Sequence, residues 1–182
     1  MKGLIVKNIS NDYLVKTNNG TYLCKPRGKF RNDKIIPVVG DQVIIDIDNK
    51  YILEILDRKN KLIRPSVANI DQALIVTSVK DPNFSTNLLD KLLLVVSYNN
   101  IEPIICLTKL DLLTDEERKK INEYIDYYTK VGYQVVTNES KKNFKDIFKN
   151  KLTVITGQSG AGKSSLLNML DKNLELKTNE IS

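Results

Sequence analysis

Histidine and tryptophan are absent from the 182-residue chain, and cysteine occurs only at Cys24 and Cys106. Without histidine, the chain cannot carry a Ser-His-Asp or Cys-His catalytic arrangement. Two cysteines cannot supply a disulfide framework or the four ligands of a structural zinc site. Because a low cysteine content is ordinary in a reducing compartment, we expect a cytoplasmic protein.

Long apolar runs are also missing. The longest is Leu92–Val96, whereas a membrane-spanning helix needs roughly 20 apolar residues. Polar residues begin at Lys7, so the N-terminus lacks the apolar centre of a secretory signal peptide. Glycine (8) and proline (5) are too scarce for a collagen-like or low-complexity chain, and 41% hydrophobic residues suffice for a packed core. We therefore expect a globular protein with no membrane partner.

Positive charge is concentrated in the first third of the chain. Residues 1–66 carry 13 Lys and Arg against 7 Asp and Glu, whereas residues 67–182 carry 15 of each. This asymmetry predicts a polyanion-binding part beside a neutral part. A basic surface that only keeps the protein soluble is the alternative.

Residues 1–57 alternate apolar and polar positions over short stretches, with turn signals between them. Asn18-Asn19-Gly20 supplies the residues that a tight hairpin turn with positive φ requires. Such closely spaced short strands predict a small all-β barrel, OB-like in the first instance and SH3-like as the alternative. The predicted strands are Gly3–Ile9, Tyr13–Thr17, Thr21–Lys25, Gln42–Ile47 and Tyr51–Leu56.

From Ala73 onward, apolar stretches alternate with helical patterns, which predicts an α/β domain with a parallel sheet. Ser85 or Thr86 is the expected N-cap of the first helix, Thr114 begins a capping box, and Gly132 suits a helix end. We assign residues 1–66 to the barrel and 67–182 to the α/β domain, with residues 58–72 as linker. The predicted strands are Ala73–Val79, Pro103–Leu107, Tyr133–Thr137 and Leu152–Thr156, and the predicted helices are Asn87–Tyr98, one between Thr114 and Gly132, Asn143–Lys149 and Lys163–Leu170.

A phosphate-binding loop is the strongest motif. Gly157–Ser164 fits the pattern G-x-x-x-x-G-K-[S/T] between a buried strand and an amphipathic helix. Its glycines let successive backbone N–H groups point at one anion, and the helix N-terminus adds its dipole. Lys163 is expected to reach the β- and γ-phosphates, and the Ser164 hydroxyl to bind Mg²⁺. The candidate residues are Gly157, Gln158, Ser159, Gly160, Ala161, Gly162, Lys163, Ser164 and Ser165.

A base-recognition motif follows the strand that ends at Leu107. Thr108-Lys109-Leu110-Asp111 resembles the N/T-K-x-D motif of GTPases, with Thr108 where asparagine is commoner. An ionised Asp111 can accept two hydrogen bonds from guanine, and adenine lacks that pair of donors. Asp111 therefore argues against a P-loop ATPase or kinase, the alternative that the phosphate loop alone leaves open. Lys109 is expected to lay its alkyl chain along the base, beside Leu110.

A third loop is expected near the base. The stretch Thr137-Asn138-Glu139-Ser140 loosely resembles the Ser-Ala-Lys segment of GTPases, whose backbone N–H groups face the guanine carbonyl oxygen. Thr137 and Asn138 are the candidate residues in it. An ordinary polar loop is the alternative.

Four cations near residue 28 form a candidate RNA-binding strip. In an extended segment their alternate spacing projects all four to one side, with Tyr22 and Phe30 on the other. OB-like barrels commonly bind oligonucleotides through such a face. A solubilising edge, on which Pro26 blocks strand pairing, is the alternative. The four cations are Lys25, Arg27, Lys29 and Arg31.

The order of the motifs is reversed relative to an ordinary GTPase, because Thr108–Asp111 precedes the phosphate loop. Read cyclically, the elements give a Ras-like sheet, so the chain resembles a circularly permuted GTPase. With a small basic barrel in front, it resembles the RsgA (or YjeQ) family of ribosome small-subunit-dependent GTPases. Further matching stretches are Arg27–Arg31, Val39–Asp41, Arg64–Gln72 and Thr178–Ile181.

The resemblance implies an OB-like domain, a circularly permuted P-loop GTPase domain and a C-terminal zinc-binding domain. It also implies a factor that binds the ribosomal RNA of the small ribosomal subunit during late maturation and hydrolyses GTP there with Mg²⁺. The chain stops at Ser182, before the family's switch threonine, its Asp-x-x-Gly motif and its zinc domain. We therefore expect a truncated product, with zinc confined to the missing domain.

Truncation at that point predicts an incomplete parallel sheet of adjacent strands, with Leu152–Thr156 at an edge. We expect this chain to be monomeric, to bind guanine nucleotide (GTP or GDP) and to hydrolyse GTP poorly. A non-catalytic RNA-binding module with a regulatory guanine-nucleotide site is the alternative.

Overall fold

The computed structural model of the chain describes residues 1–32, 35–139 and 144–170, with the backbone alone at residues 31, 32, 144 and 145. It divides into two compact units, residues 1–70 and 71–182. Within the described ranges, no helix has the length and apolar character needed to cross a bilayer. The matching stretch Thr178–Ile181, Ser140 and the predicted helix start at Asn143 lie outside the described residues.

The first unit is built on a closed five-stranded barrel with strand order β1-β2-β3-β5-β4. Neighbouring strands are antiparallel except for β3 and β5, which pair in parallel. This closure confirms the OB-like barrel that the sequence predicts. Its elements are β1 (Lys2–Ile9), β2 (Asp12–Thr17), β3 (Gly20–Pro26), the short helix α1 (Lys29–Asn32), β4 (Gln42–Asp46) and β5 (Tyr51–Ile55).

The barrel interior is filled by alternate residues of its strands, as the period-two pattern requires. These side chains are aliphatic or aromatic apart from the Cys24 thiol, whose pKa is raised by burial. Because every strand presents one apolar face inward, the sheet can close around a single core. The core residues are Ile5, Tyr13, Val15, Cys24, Phe30, Val43, Ile45 and Ile52.

The prediction that the four cations lie along one extended segment is wrong. β3 ends at Pro26, and helix α1 begins at Lys29. The change from strand to helix brings Phe30 into the barrel core, where it is 7% exposed. Lys25, Arg27 and Lys29 are solvent-exposed, whereas the side chain of Arg31 lies outside the described residues.

The predicted linker, residues 58–72, is also wrong, because most of it belongs to the first unit. Two short antiparallel strands, β6 (Lys61–Leu62) and β7 (Val67–Ala68), flank a turn with a cis Arg64–Pro65 bond. The Asn60 side chain binds the backbone N–H and carbonyl of Ile70 (2.8 and 2.7 Å). The junction between the units therefore falls at residues 70/71, whereas the sequence places it at 66/67.

The second unit holds a four-stranded parallel sheet with strand order β10-β9-β8-β11. All residues of the central strand β8 are buried, as expected where helices cover both faces. In the described part of the sheet β11 is an edge strand, which agrees with the prediction for Leu152–Thr156. The elements are β8 (Gln72–Ser78), α2 (Thr86–Tyr98), β9 (Glu102–Thr108), α3 (Asp115–Val131), β10 (Gln134–Thr137), α4 (Phe144–Phe148), β11 (Thr153–Gly157) and α5 (Lys163–Leu170).

The helix ends follow the local signals in the sequence. The Ser85 hydroxyl accepts a hydrogen bond from the Leu88 N–H at the start of α2. Thr114 and Glu117 form both bonds of a capping box on α3, and Gly132 ends that helix at φ 108°. In β9, burial raises the pKa of the Cys106 thiol to about 12.

A buried ion pair holds the segment after β5 against the barrel. Asp41 is fully buried, and its carboxylate accepts bonds from the Arg58 Nε and Nη2 atoms, both at 2.7 Å. The same carboxylate accepts the Val38 N–H (2.8 Å), and Arg58 also donates to the Ile36 carbonyl (2.8 Å). The bond to Asp41 raises the pKa of Arg58, so the pair stays charged.

Replacing Arg58 with alanine is expected to destabilise the barrel by about 3 kcal/mol, because the Asp41 carboxylate would stay buried without its cation. Hydrogen–deuterium exchange of the amides of β1 and β4 measures this loss locally. As a control, Lys151→Ala breaks the exposed Lys151–Glu102 pair (2.9 Å) and should lower protection around it by less than about 1 kcal/mol. Equal effects of the two substitutions would contradict the role assigned to Arg58.

Candidate functional site

All three predicted motifs lie at the carboxyl edge of the parallel sheet. β9 pairs with β8 so that Thr108 is opposite Ser78, and β10 pairs with β9 so that Thr137 is opposite Leu107. On the other side, Gly157 of β11 is opposite Val76 of β8. Because parallel strands all end at the same edge, the loops that follow them are neighbours in space, which is where sheets of this class bind ligands.

The phosphate-type loop depends on glycine at its first position. Gly157 has φ 140°, and a Cβ added there would lie 2.0 Å from the Val76 carbonyl oxygen. Gly160 and Gly162 also have positive φ, at 74° and 83°. These conformations, which side chains other than glycine adopt rarely, turn the chain sharply from β11 into α5.

This turn leaves several backbone donors free. In the part of the chain that the structure describes, the backbone N–H groups of Gly162, Lys163 and Ser164 donate to no backbone carbonyl. They belong to the first turn of α5, where the positive end of the helix dipole lies. A group of convergent donors of this kind fits an anion with several oxygens, such as a phosphate.

Lys163 adds a cation to the same loop. Its ammonium donates to the carbonyls of Gly157 (3.0 Å) and Gln158 (2.6 Å), and burial lowers its pKa. Of the other candidates, Ala161 is buried, Gln158, Gly160, Gly162 and Ser164 are half-buried, and Ser159 and Ser165 are exposed. The Ser164 hydroxyl, next to Lys163 at the start of α5, is placed where a cation bound to the same anion could take it as a ligand.

Thr108 fastens the base-recognition motif to the phosphate-type loop. Its side chain is buried, and its hydroxyl donates to the Ala161 carbonyl at 2.7 Å, with the Thr77 carbonyl at 3.3 Å. Gly162 lies beside it, with an added Cβ 3.7 Å from the Thr108 hydroxyl. The threonine that departs from the commoner asparagine thus has a defined role, which is to join the two loops.

The rest of that motif forms a short turn at the edge of the site. Lys109 has φ 64°, and its ammonium donates to the Asp81 carbonyl in the loop after β8. Leu110 is buried and anchors the 3₁₀ turn Leu110–Leu112. Asp111 is exposed, and its carboxylate has no hydrogen bond or ion pair to the described residues, which leaves it available to a ligand.

The loop after β10 differs in one detail from the expectation for backbone donors. The Asn138 N–H already donates to the Leu107 carbonyl (3.0 Å), so it extends the pairing with β9. The Asn138 Oδ1 atom is buried, and among the described residues it has no hydrogen-bond partner. Thr137 is half-buried. The side-chain amide of Asn138 is therefore the group that this loop offers to a ligand.

Side-chain links between the loops are the features that sequence reasoning missed. Glu139 pairs with Arg118 of α3, whose guanidinium lowers the pKa of that carboxyl, and Lys80 pairs with Glu117. These partners lie 21 and 37 residues apart in the sequence, so no local spacing indicates them.

Two family models match the chain. The RsgA GTPase model covers residues 55–182, and the RsgA N-terminal domain model covers residues 2–52. Curated relatives from Bacillus cereus and Enterococcus faecalis, both called small ribosomal subunit biogenesis GTPase RsgA, are 46% and 47% identical and match 100% of this chain. The chain spans 64% and 63% of the length of these relatives.

Two solved structures are similar to the whole chain. YjeQ from Thermotoga maritima superposes with a TM-score of 0.83 at 34% identity, over 98% of this chain and 67% of that one. YloQ, described as a circularly permuted GTPase, gives a TM-score of 0.76 at 41% identity, over 95% of this chain and 65% of that one.

Replacing Gly157 with alanine is expected to destabilise the second unit by about 3 kcal/mol or more, because its Cβ would collide with the Val76 carbonyl at an unfavourable φ. Thermal unfolding followed by circular dichroism measures the loss. Gly28→Ala is the control, since an added Cβ there meets nothing within 4 Å. A Gly157→Ala protein as stable as the Gly28→Ala protein would show that the tight approach to β8 is not required.

Proposed function

The chain belongs to the RsgA family of GTPases, and from this premise we propose that it binds guanine nucleotide at the carboxyl edge of its parallel sheet and acts in small ribosomal subunit biogenesis. The observation that carries the proposal is the Thr108–Ala161 bond, which couples a phosphate-type loop to a base-recognition motif. Each residue's role follows from the chemistry of the group it presents.

The phosphates are proposed to lie in the loop Gly157–Ser164. Its free N–H groups and the Lys163 ammonium would share the negative charge of the β- and γ-phosphates. Mg²⁺ would be held by the Ser164 hydroxyl together with phosphate oxygens and water, because this cation prefers oxygen ligands and retains part of its hydration shell. Bound there, Mg²⁺ supplies neutralisation of the charge on the phosphates.

Guanine is proposed to be recognised by Asp111. Its uncommitted carboxylate would accept the N1–H and N2–H donors of the base, while the alkyl chain of Lys109 covers one face. A site that offers only acceptors to this edge rejects adenine, which has no matching pair of donors. Thr137 and the Asn138 side-chain amide complete the polar surroundings of the base.

Slow hydrolysis is proposed for the 182 residues themselves. They contain no Asp-x-x-Gly segment, the motif that the family uses to sense the γ-phosphate. The described site offers groups that bind and orient phosphate, and the chain has no histidine that could move a proton. Such a chain would act as an RNA-binding module whose affinity for RNA responds to the bound nucleotide, the alternative that the sequence leaves open.

Ribosomal RNA is proposed as the partner of the barrel. Lys25 lines an open groove of about 1050 Å³ together with Tyr51, whose ring is 40% exposed, and Ile36. Exposed cations contact phosphates, and an exposed aromatic ring can stack on an unpaired base. Arg27 and Lys29 are exposed next to this groove in the sequence, and Arg31 completes the proposed set.

Replacing Asp111 with asparagine is expected to weaken GDP binding at least ~100-fold, because the amide would set an N–H donor against the donors of guanine. Titration calorimetry with GDP and ADP in the presence of Mg²⁺ measures both affinities. Asp126→Asn, the same change at an exposed position of α3, should leave GDP binding unchanged. Retention of GDP preference in Asp111→Asn would disprove base recognition by this carboxylate.

Reversing two barrel charges, as in Arg27→Glu with Lys29→Glu, is expected to weaken binding to the small ribosomal subunit and to reduce the salt dependence of log K by about two. Filter binding across a salt series provides both quantities. The control reverses two exposed lysines of α3, Lys119→Glu with Lys130→Glu. If both double variants behave alike, the effect is one of net charge, and the assignment of the RNA surface is wrong.

A further inference from the structure

The first turn of α3 contacts all three loops that surround the base-recognition motif. Two adjacent residues make these contacts, Glu117 and Arg118, which we call the α3 clamp. Neither lies in a motif that the proposed function uses. Their contacts run to the loop after β8, the turn after β9 and the loop after β10.

Arg118 joins the turn after β9 to the loop after β10. Its guanidinium makes a two-pronged ion pair with the Glu139 carboxylate, with N–O distances of 3.2 and 2.5 Å. The Nη1 atom that forms the longer of these bonds also donates to the Leu110 carbonyl at 3.5 Å. One planar side chain therefore touches the residue before Asp111 and the residue after Asn138.

Glu117 holds the same turn of the helix in place. Its carboxylate accepts the Thr114 N–H (2.8 Å) in the capping box and pairs with the Lys80 ammonium at 2.9 and 3.0 Å. The loop that carries Lys80 is tied in turn to the base motif, because the Lys109 ammonium donates to the Asp81 carbonyl. The clamp thus has a fixed base from which Arg118 reaches the other two loops.

Stability alone gives little reason for the Arg118–Glu139 pair. The two side chains are 39% and 45% exposed, and pairs of that exposure contribute between about 0 and 1 kcal/mol. Geometry gives a stronger reason, since a two-pronged pair fixes direction as well as distance. Asp111 sits on an exposed three-residue turn, and a carboxylate that must accept two bonds from one base tolerates about 0.5 Å of displacement.

We propose that Arg118 is a positioning residue for base recognition, which acts by locking the turn that carries Asp111 to the loop that carries Asn138 and Glu139. The inference rests on the proposed guanine site and adds a residue outside its motifs. Loss of the lock would let Asp111 and the loop after β10 move independently. The preference for a base with a 2-amino group, which Asp111 reads, would then suffer more than the affinity for the phosphates.

The test measures the affinities of the 182-residue chain for GDP, IDP and ADP with Mg²⁺, because hypoxanthine lacks the 2-amino group of guanine. Arg118→Ala and Glu139→Ala are each expected to weaken GDP binding about 10-fold and IDP binding about 2-fold. The double alanine variant should be no weaker than either single variant, since both remove one interaction. Arg118→Lys should lie between parent and alanine, and the exchange Arg118→Glu with Glu139→Arg should restore part of the GDP preference.

The matched control is Glu102→Ala, which breaks an ion pair of similar exposure at the opposite end of β9. It should change neither the nucleotide affinities nor the GDP-to-IDP ratio, and its melting temperature should match that of Arg118→Ala within about 2 °C. An equal loss for GDP and IDP, or a melting temperature several degrees below the control, would show a merely structural role and overturn the inference.

The outcomes also separate this inference from the proposed function. A parent chain that binds GDP no better than ADP would refute the guanine site, and the role of Arg118 with it. A parent chain that prefers GDP, together with Arg118→Ala and Glu139→Ala proteins that keep the full preference, would refute the positioning role alone.

Discussion

One hydrogen bond, from the Thr108 hydroxyl to the Ala161 carbonyl, joins the two loops on which the site depends. Parallel strand pairing brings the loops to one edge of the sheet, but it does not fix the distance between a loop after β9 and a loop after β11, which are not neighbours. The buried hydroxyl closes that gap across β8, where it also reaches the Thr77 carbonyl. A ligand that spans both loops then meets them at a set separation, so less order has to be imposed when it binds.

Circular permutation is compatible with this site because the sheet is organised by neighbours in space. β11 follows all the other strands in the chain, yet it pairs with β8, the first strand of the unit. The sequence order of the motifs is therefore reversed while their positions along the edge are those of a Ras-like sheet. What the arrangement requires is a close fit of β11 to β8, and Gly157, which leaves no room for a Cβ against Val76, meets that requirement.

Much of the fold was predictable because its signals are local. The barrel strands alternate at period two, and Ser85, Thr114 and Gly132 mark helix ends within a few residues of the contacts that they make. The predictions failed where distant partners decide the structure: Asn60 fixes the supposed linker by binding Ile70, and Phe30 turns the basic segment into a helix by packing in the barrel core. In the same way, motif spacing predicted the phosphate-type and base-recognition loops, whereas the ion pairs between loops leave no trace in local sequence.

The burial of both thiols has a practical consequence. Cys24 and Cys106 are fully enclosed, one in each unit, and burial raises the pKa of each, so almost no thiolate exists near neutral pH. Maleimide and similar alkylating reagents need an accessible thiolate, and the native chain therefore offers them no target at either position. A single cysteine introduced at an exposed site would carry a fluorophore or spin label alone, with no need to remove the natural residues and disturb either core.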